Sequence, residues 1–419
     1  MMRRLLLAGA VLLAVGGCGG DKKPAPGWSL RSAATAHLRA LGRIGDRNRN
    51  TRAAGTPGYA ASVDYVADRL RAAGYRVRLQ KVPFPVFRDR TRPVLQAEGK
   101  RIPVLTLRYS GPGRANAPVA LVGLACSPAE LRRARGKIAI AARGRCPFRA
   151  KARNAEDAGA SGLVVADPRS SLPTGGSLIR PGLEIPAVSA GAGALKLTGR
   201  ARLAVDTVAE NRTTRNVIAE RPGRSRRVAM VGAHLDSVRE GPGINDNGSG
   251  VAVTLALAER LRNQRGLRFG FWGAEELGLY GSRRYVASLS PAERRRITGY
   301  LNLDMLGSPN AVRYLYGAGR VRDALVKALR ARKLRYETIS IGDSSDHAPF
   351  AAAGISAAGL YSGSEETKTA REARVFGGRA GRPLDPCYHQ RCDVLTRVDR
   401  DVMTELGEAA GQALRELSG

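Results

Sequence analysis

The amino-acid sequence predicts an α/β protein: three layers, α/β/α, around a mixed, mainly parallel sheet, with an inserted β-rich domain. Three observations point there. From about residue 206 onward, short apolar runs alternate with segments of helical periodicity, as expected of strands covered by helices on both faces. Residues 96–205 are strand-rich instead. The 50 glycines supply many turns, and 43% apolar content can fill a real core.

The chain opens on an address. Arg3 and Arg4 precede an apolar stretch over residues 5–15, too short to span a bilayer and suited to an export signal. It ends in Val15-Gly16-Gly17-Cys18, which resembles a bacterial lipobox, where the cysteine is acylated and becomes the first residue of the mature chain. Residues 1–17 read as a signal peptide, Cys18 as the lipidation site and residues 18–27 as a flexible tether. The expected location is the extracytoplasmic side of a bacterial cell membrane, held there by the lipid anchor.

Residues 28–95 read as the N-terminal part of the main domain. Leu38, Leu41 and Ile44 share one helical face. A second helix over 62–73 turns Val63, Val66 and Leu70 inward, Gly74 stops it, and an alternating strand starts at Tyr75. Within 96–205, residues 119–124, 137–142 and 162–166 read as strands and 148–158 as a helix. Within 206–419, strands are expected at 216–219, 228–233, 267–272, 300–305 and 339–341, with helices at 251–261, 276–288, 291–297, 321–331 and 401–417. Ser290, Pro291 and Glu293 give one of these helices a capping box.

The formal charge is +33, and loss of residues 1–17 removes two arginines and no acid, leaving +31. The excess is spread along the chain and aromatics are only 5%, so no nucleic-acid partner is expected. Besides Cys18 there are four cysteines, 126, 146, 387 and 392, which an exported protein tends to pair. Four cysteines allow three connectivities.

Five blocks carry chemistry. His234 and Asp236 follow an apolar strand, and Asp236 is placed to hold the second ring nitrogen of the histidine. Asp246 lies in a glycine-rich turn that leads into a helix. Glu275 and Glu276 are adjacent acids at a strand end, suited to dividing metal binding from proton transfer. Asp304 ends another apolar strand, where an unpaired carboxylate is costly. Tyr388 and His389 stand between Cys387 and Cys392. Each block alone has an ordinary explanation as a turn, a cap or a solvated helix start. Together they provide two histidines and three acids as ligands, with a base and a phenol to spare, enough for two zinc ions around one shared carboxylate.

In this order the blocks resemble the co-catalytic di-zinc exopeptidases, the superfamily of Streptomyces-type secreted aminopeptidases and glutamate carboxypeptidase. The Asp385-Pro-Cys387-Tyr388-His389-x-x-Cys392-Asp393 block and Thr367-Lys368-Thr369 are similar to the Streptomyces branch. The resemblance implies the zinc-exopeptidase fold and two zinc ions per chain. His234 and Asp304 would hold one ion, Glu276 and His389 the other, and Asp246 would bridge them through a residue whose peptide bond to Asn247 is cis. Glu275 would be the general base, Tyr388 would bind the oxyanion, and Asp236 would support His234. Residues 136–140, Arg143 to Phe148 and the segment through Ala160 resemble a protease-associated (PA) domain, which implies the pairs Cys126–Cys146 and Cys387–Cys392. His347, in Ser345-Asp346-His347, would line the specificity pocket.

The implied activity is a zinc metallo-aminopeptidase, a monomer acting on peptides with large apolar N-terminal residues. Alternatives on the same scaffold are a carboxypeptidase or dipeptidase, which would need a cationic site for a substrate carboxylate, and a non-catalytic binding protein, which would have lost ligands.

Overall fold

Two eight-stranded sheets organise the computed structural model, which describes residues 28–221 and 227–418. The expected signal peptide, Cys18 and the tether lie outside these residues. Among the described residues no helix is long and apolar enough to cross a membrane.

The first sheet runs, edge to edge, Arg76–Asp89, Thr207–Glu220, Leu267–Trp272, Val228–His234, Ile297–Leu303, Ala357–Tyr361, Tyr314–Gly317 and Glu337–Thr338. The four strands from Leu267–Trp272 to Ala357–Tyr361 are parallel, and antiparallel neighbours flank them. Those four are buried along their whole length apart from Thr298, because helices cover both faces. On one face Leu30–Arg47, Gly248–Arg260, Gly319–Ala331 and Arg400–Ser418 share the main apolar core. On the other, Trp272, Tyr285, Tyr300 and Phe350 form an aromatic cluster in which Tyr300 and Phe350 stack at 3.8 Å.

Arg76–Asp89 and Thr207–Glu220 pair from Arg76↔Glu220 to Asp89↔Thr207. The second sheet is built wholly from the chain between them, from Val94 to Val205. An insert whose two ends leave side by side from one ribbon disturbs little of the sheet that carries it. The disulfide Cys126–Cys146 lies in this insert.

Several elements differ from expectation. The second helix is Pro57–Ala72, starting earlier because Thr56 caps it and Pro57 suits a first turn. The helix expected at 276–288 forms only over Tyr280–Ala287, since the Glu275 carbonyl accepts the N–H groups of Gly278 and Leu279 at 2.8 Å and closes a tight turn. Residues 339–341 are no strand: pairing ends with Glu337–Thr338, and Ile339 and Ile341 turn toward the site. The strand expected at 119–124 is Gly113–Leu121. In the first sheet two further strands, Tyr314–Gly317 and Ala357–Tyr361, are too short to show a clear period.

Candidate metal centre

The four parallel strands all point their carboxyl ends at one place, the usual position of a site on such a sheet. His234 is the last residue of Val228–His234. Glu275 and Glu276 follow Leu267–Trp272, and Asp304 follows Ile297–Leu303. Asp246 precedes the helix Gly248–Arg260, whose N-cap Asn247 accepts the Gly250 N–H; the Asp246–Asn247 peptide is cis. A Cβ on Gly250 would lie 2.3 Å from the Leu303 carbonyl, so only glycine lets this helix start sit against the strand that leads to Asp304. His389 and Tyr388, stacked ring on ring at 3.8 Å, ride on the loop closed by the Cys387–Cys392 disulfide.

These side chains meet. His234, Asp246, Glu275, Glu276, Asp304, Tyr388 and His389 line a single cavity of about 710 Å³. His234 Nε2 lies 3.2 Å from Asp246 Oδ1 and 3.3 Å from Asp304 Oδ1. His389 Nε2 lies 3.2 Å from Asp246 Oδ2 and 3.0 Å from Glu276 Oε2. Asp246 thus offers one oxygen to each imidazole. Glu275 Oε2 stands further off, 3.9 Å from His234 Nε2.

Asp236 behaves differently from the sequence reading. His234 Nδ1 hydrogen-bonds to the main-chain carbonyl of Asp236 at 3.1 Å, while the nearest carboxylate oxygen is 3.9 Å away. The carboxylate turns aside because its Oδ1 accepts the Glu275 N–H at 3.1 Å. His347 lines a neighbouring cavity of about 530 Å³, which shares Tyr316, Ile339, Ile341 and Asp343 with the first, and packs edge-on against Tyr316 at 4.8 Å.

The electrostatics are those of anions crowded out of water. Burial pushes Asp236 up to about 6, and burial with the Asp246 charge pushes Glu276 up to about 7. Burial likewise holds Glu275 well above the carboxylate range, and the nearby acids Asp346, Glu276 and Asp304 add to the effect. Burial also opposes ionisation of Asp246, yet hydrogen bonds from both imidazoles hold it well below the usual range. For His389 burial favours the neutral ring, but its bonds to Asp246 and Glu276 lift it to about 10.

Such a cluster fits a metal. Donor atoms on a tetrahedral zinc ion at about 2.0 Å stand about 3.3 Å apart, and the four imidazole–carboxylate separations run from 3.0 to 3.3 Å. Two triads, His234–Glu275–Asp304 and His234–Asp246–Glu276, each hold their donor atoms within 4.8 Å of one another. Glu276 Oε1 is buried without a hydrogen-bond partner, which is costly unless a cation faces it. Imidazole nitrogens and carboxylate oxygens are both ordinary zinc ligands.

Other residues that hold the site were not assigned from sequence. Asp393 accepts the N–H groups of Asn245 and Asp246. Asn245 donates to Asp385 Oδ2 at 2.6 Å. Ser345 donates to Asp304 Oδ2 at 2.5 Å and accepts from Asn302, which Tyr300 and Trp272 order in turn. Arg52, fully buried, donates to the carbonyls of Leu235, Pro242 and Gly243. Burial lowers it to about 10 while Asp393, Asp236 and Asp246 favour its charge. The only signal in the sequence was for Asp385 and Asp393, which flank the Cys387–Cys392 block.

Comparison with known proteins adds an independent line. Residues 216–414 match the model of peptidase family M28, and residues 115–197 match that of the PA domain. A Mycobacterium tuberculosis protein named "Probable lipoprotein aminopeptidase LpqL" is 37% identical over 91% of this chain and 84% of its own length. A Pseudomonas aeruginosa protein named as an aminopeptidase is 36% identical over 87% of this chain and 77% of its own. Among solved structures, an aminopeptidase from Aneurinibacillus sp. strain AM-1 superposes with a TM-score of 0.70 at 27% identity, covering 93% of this chain and 94% of its own. BSAP, a zinc aminopeptidase from Bacillus subtilis, gives 0.62 at 29% identity, covering 92% and 94%.

Proposed function

The chain belongs to peptidase family M28, with an inserted PA domain, and is a zinc metallopeptidase of the aminopeptidase kind; from that premise we propose that it works with two zinc ions per chain, Glu275 as general base, on peptides whose first residue is large and apolar. The observation that carries this reading is the double engagement of Asp246, one oxygen 3.2 Å from His234 and the other 3.2 Å from His389. In this reading His234 and Asp304 hold one ion, Glu276 and His389 the second, and Asp246 both. Asp236 braces the loop between His234 and Glu275.

Zinc, when bound, polarises the scissile carbonyl and lowers the pKa of water toward neutrality. The chain's own side chains do the rest. Glu275, in the cavity wall with its carboxylate 3.9 Å from His234 Nε2, takes a proton from the attacking water and returns it to the leaving amine. Tyr388, half-buried in the same wall, donates its hydroxyl proton in a hydrogen bond to the oxyanion of the tetrahedral intermediate. Leu279, Met305, Ile339 and Ile341, with Tyr314 and Tyr361, offer an apolar wall to the first substrate side chain. Glu365 and Glu366 at the same cavity offer negative charge to a free α-amine.

The same proposal takes the chain as exported and lipid-anchored through Cys18. The lipobox residues support it, and so does the name of the mycobacterial relative. It divides the mature chain into 28–95 and 206–419 as peptidase and 96–205 as the PA insert, supported by the ribbon that closes at Asp89↔Thr207. The test is hydrolysis of leucine p-nitroanilide by the native protein, by chelator-treated protein and by Glu275→Gln. Both treatments should abolish nearly all turnover, and normal rates in Glu275→Gln would remove the base assignment.

A further inference from the structure

Arg52 takes no part in the chemistry above, yet it lies buried against the loops that present it. Its guanidinium makes three hydrogen bonds, all to main-chain carbonyls. Nη1 donates to Leu235 at 2.6 Å, the residue after His234. Nε donates to Pro242 at 2.7 Å and Nη2 to Gly243 at 2.6 Å, at the base of the turn that presents Asp246. Its own N–H donates to Ser237 Oγ at 3.0 Å, and its carbonyl accepts the Ser237 N–H at 3.4 Å.

The turn explains why a guanidinium is needed. Gly243 sits at φ +60°, and a Cβ there would stand 2.1 Å from the Asp246 carbonyl. The backbone is therefore folded tightly on itself, and its inward carbonyls need buried donors. A planar fork with fixed donor directions can satisfy three carbonyls at once, whereas an ammonium group offers no such geometry. Asp393, Asp236 and Asp246 favour its charge, so the same group also places a positive charge among buried acids.

We propose that Arg52 is a positioning residue of the metal centre: it ties the His234 loop to the Asp246 turn at a fixed separation and so sets the spacing of the donors that grip zinc. The inference rests on the zinc reading above. It also gives the N-terminal segment a direct role, since Arg52 stands 183 residues from Leu235 and 191 from Gly243 in the chain.

The test uses the zinc-free protein, its fold monitored by circular dichroism, titrated with zinc against a chromophoric chelator. Arg52→Lys is expected to bind roughly 10- to 100-fold more weakly, the usual cost of losing an outer support of a metal site. On leucine p-nitroanilide it should lose kcat with little change in KM. In Arg52→Ala, added guanidinium should restore zinc affinity in a saturable way, and ammonium should not. Affinity in Arg52→Lys within about twofold of native overturns the proposal, being well short of that cost. So does an alanine variant that guanidinium leaves unchanged, or one that stays unfolded with guanidinium present, which would assign Arg52 to folding alone. A native protein that takes up no zinc would instead defeat the zinc reading, and the same titration shows this before any variant is made.

Discussion

Asp393 holds Asp246 by its backbone: Oδ2 of Asp393 accepts the Asp246 N–H at 3.0 Å, and Oδ1 accepts the N–H of Asn245 at 2.7 Å. Burial pushes Asp393 up to about 7, with the charges of Asp246 and Asp385 adding to it. Replacing Asp393 by Asn turns one acceptor into a donor aimed at an N–H. Asp393→Asn should lose about 1–3 kcal/mol of stability and roughly tenfold in zinc affinity. Denaturant unfolding and chelator competition measure the two. Native affinity in the variant would show that the turn holds Asp246 without this carboxylate.

Zinc uptake should release protons and tighten with rising pH. Without metal, His389 is lifted to about 10 and Glu276 to about 7, so at pH 6 both hold protons that zinc must displace. Glu276 sheds its proton as pH passes 7, and competition falls from there. Calorimetric zinc titrations in buffers of different ionisation enthalpy should give a positive proton release at pH 7. Affinity that is flat from pH 6 to 8, with no release, would contradict this.

Tyr388 should act through its hydroxyl alone. Burial, with Asp246 and Glu276 nearby, holds the phenol well above its ordinary value, so it remains a donor throughout the neutral range. Tyr388→Phe should lower kcat by about 10²–10³ with KM and zinc content close to native, the signature of a lost oxyanion donor. Steady-state kinetics with metal analysis decide it, and an unaltered kcat would strip Tyr388 of the role.

Glu372 should stabilise the fold except in acid. It closes a capping box with Thr369 and accepts the hydroxyl of Tyr314, a cavity residue, at 2.7 Å. Burial opposes its ionisation, but the Thr369 and Tyr314 bonds win and hold it below its usual value. A carboxyl depressed by folding stabilises above its unfolded pKa of about 4.3, and that gain fades as pH falls through the lower folded value. Glu372→Gln should therefore cost about 1 kcal/mol at pH 7 through weaker hydrogen bonds, with the gap to native narrowing below about pH 4. Urea melts at both pH values would expose a gap that stays constant, the contrary outcome.

The apolar runs before His234, Glu275 and Asp304 were legible because strands buried on both faces are mainly apolar, Arg268 and Asn302 being the buried polar residues inside these three. That pattern put three of the blocks at strand ends. Element limits around the site were less legible. The Glu275–Leu279 turn delays a helix whose composition suits an earlier start, and the 339–341 segment has strand-like residues but keeps only the Ile339 N–H bond to the Leu315 carbonyl before it leaves the sheet. Periodicity reports which face a residue shows, and it carries no information on whether a neighbour arrives to pair.

What the sequence determined by itself was the layered α/β plan, the inserted domain and the inventory of histidines and acids, since these depend on local pattern and residue chemistry. Tertiary structure alone decided how that inventory is braced. Asp236 supports His234 by its carbonyl and Glu275 by its carboxylate, Ser345 orders Asp304, Asp393 orders Asp246, and Arg52 reaches over from the first helices. Most of these contacts join residues 39 to 183 positions apart. A hydrogen bond depends on direction and distance in space, and linear order holds neither until the chain has folded.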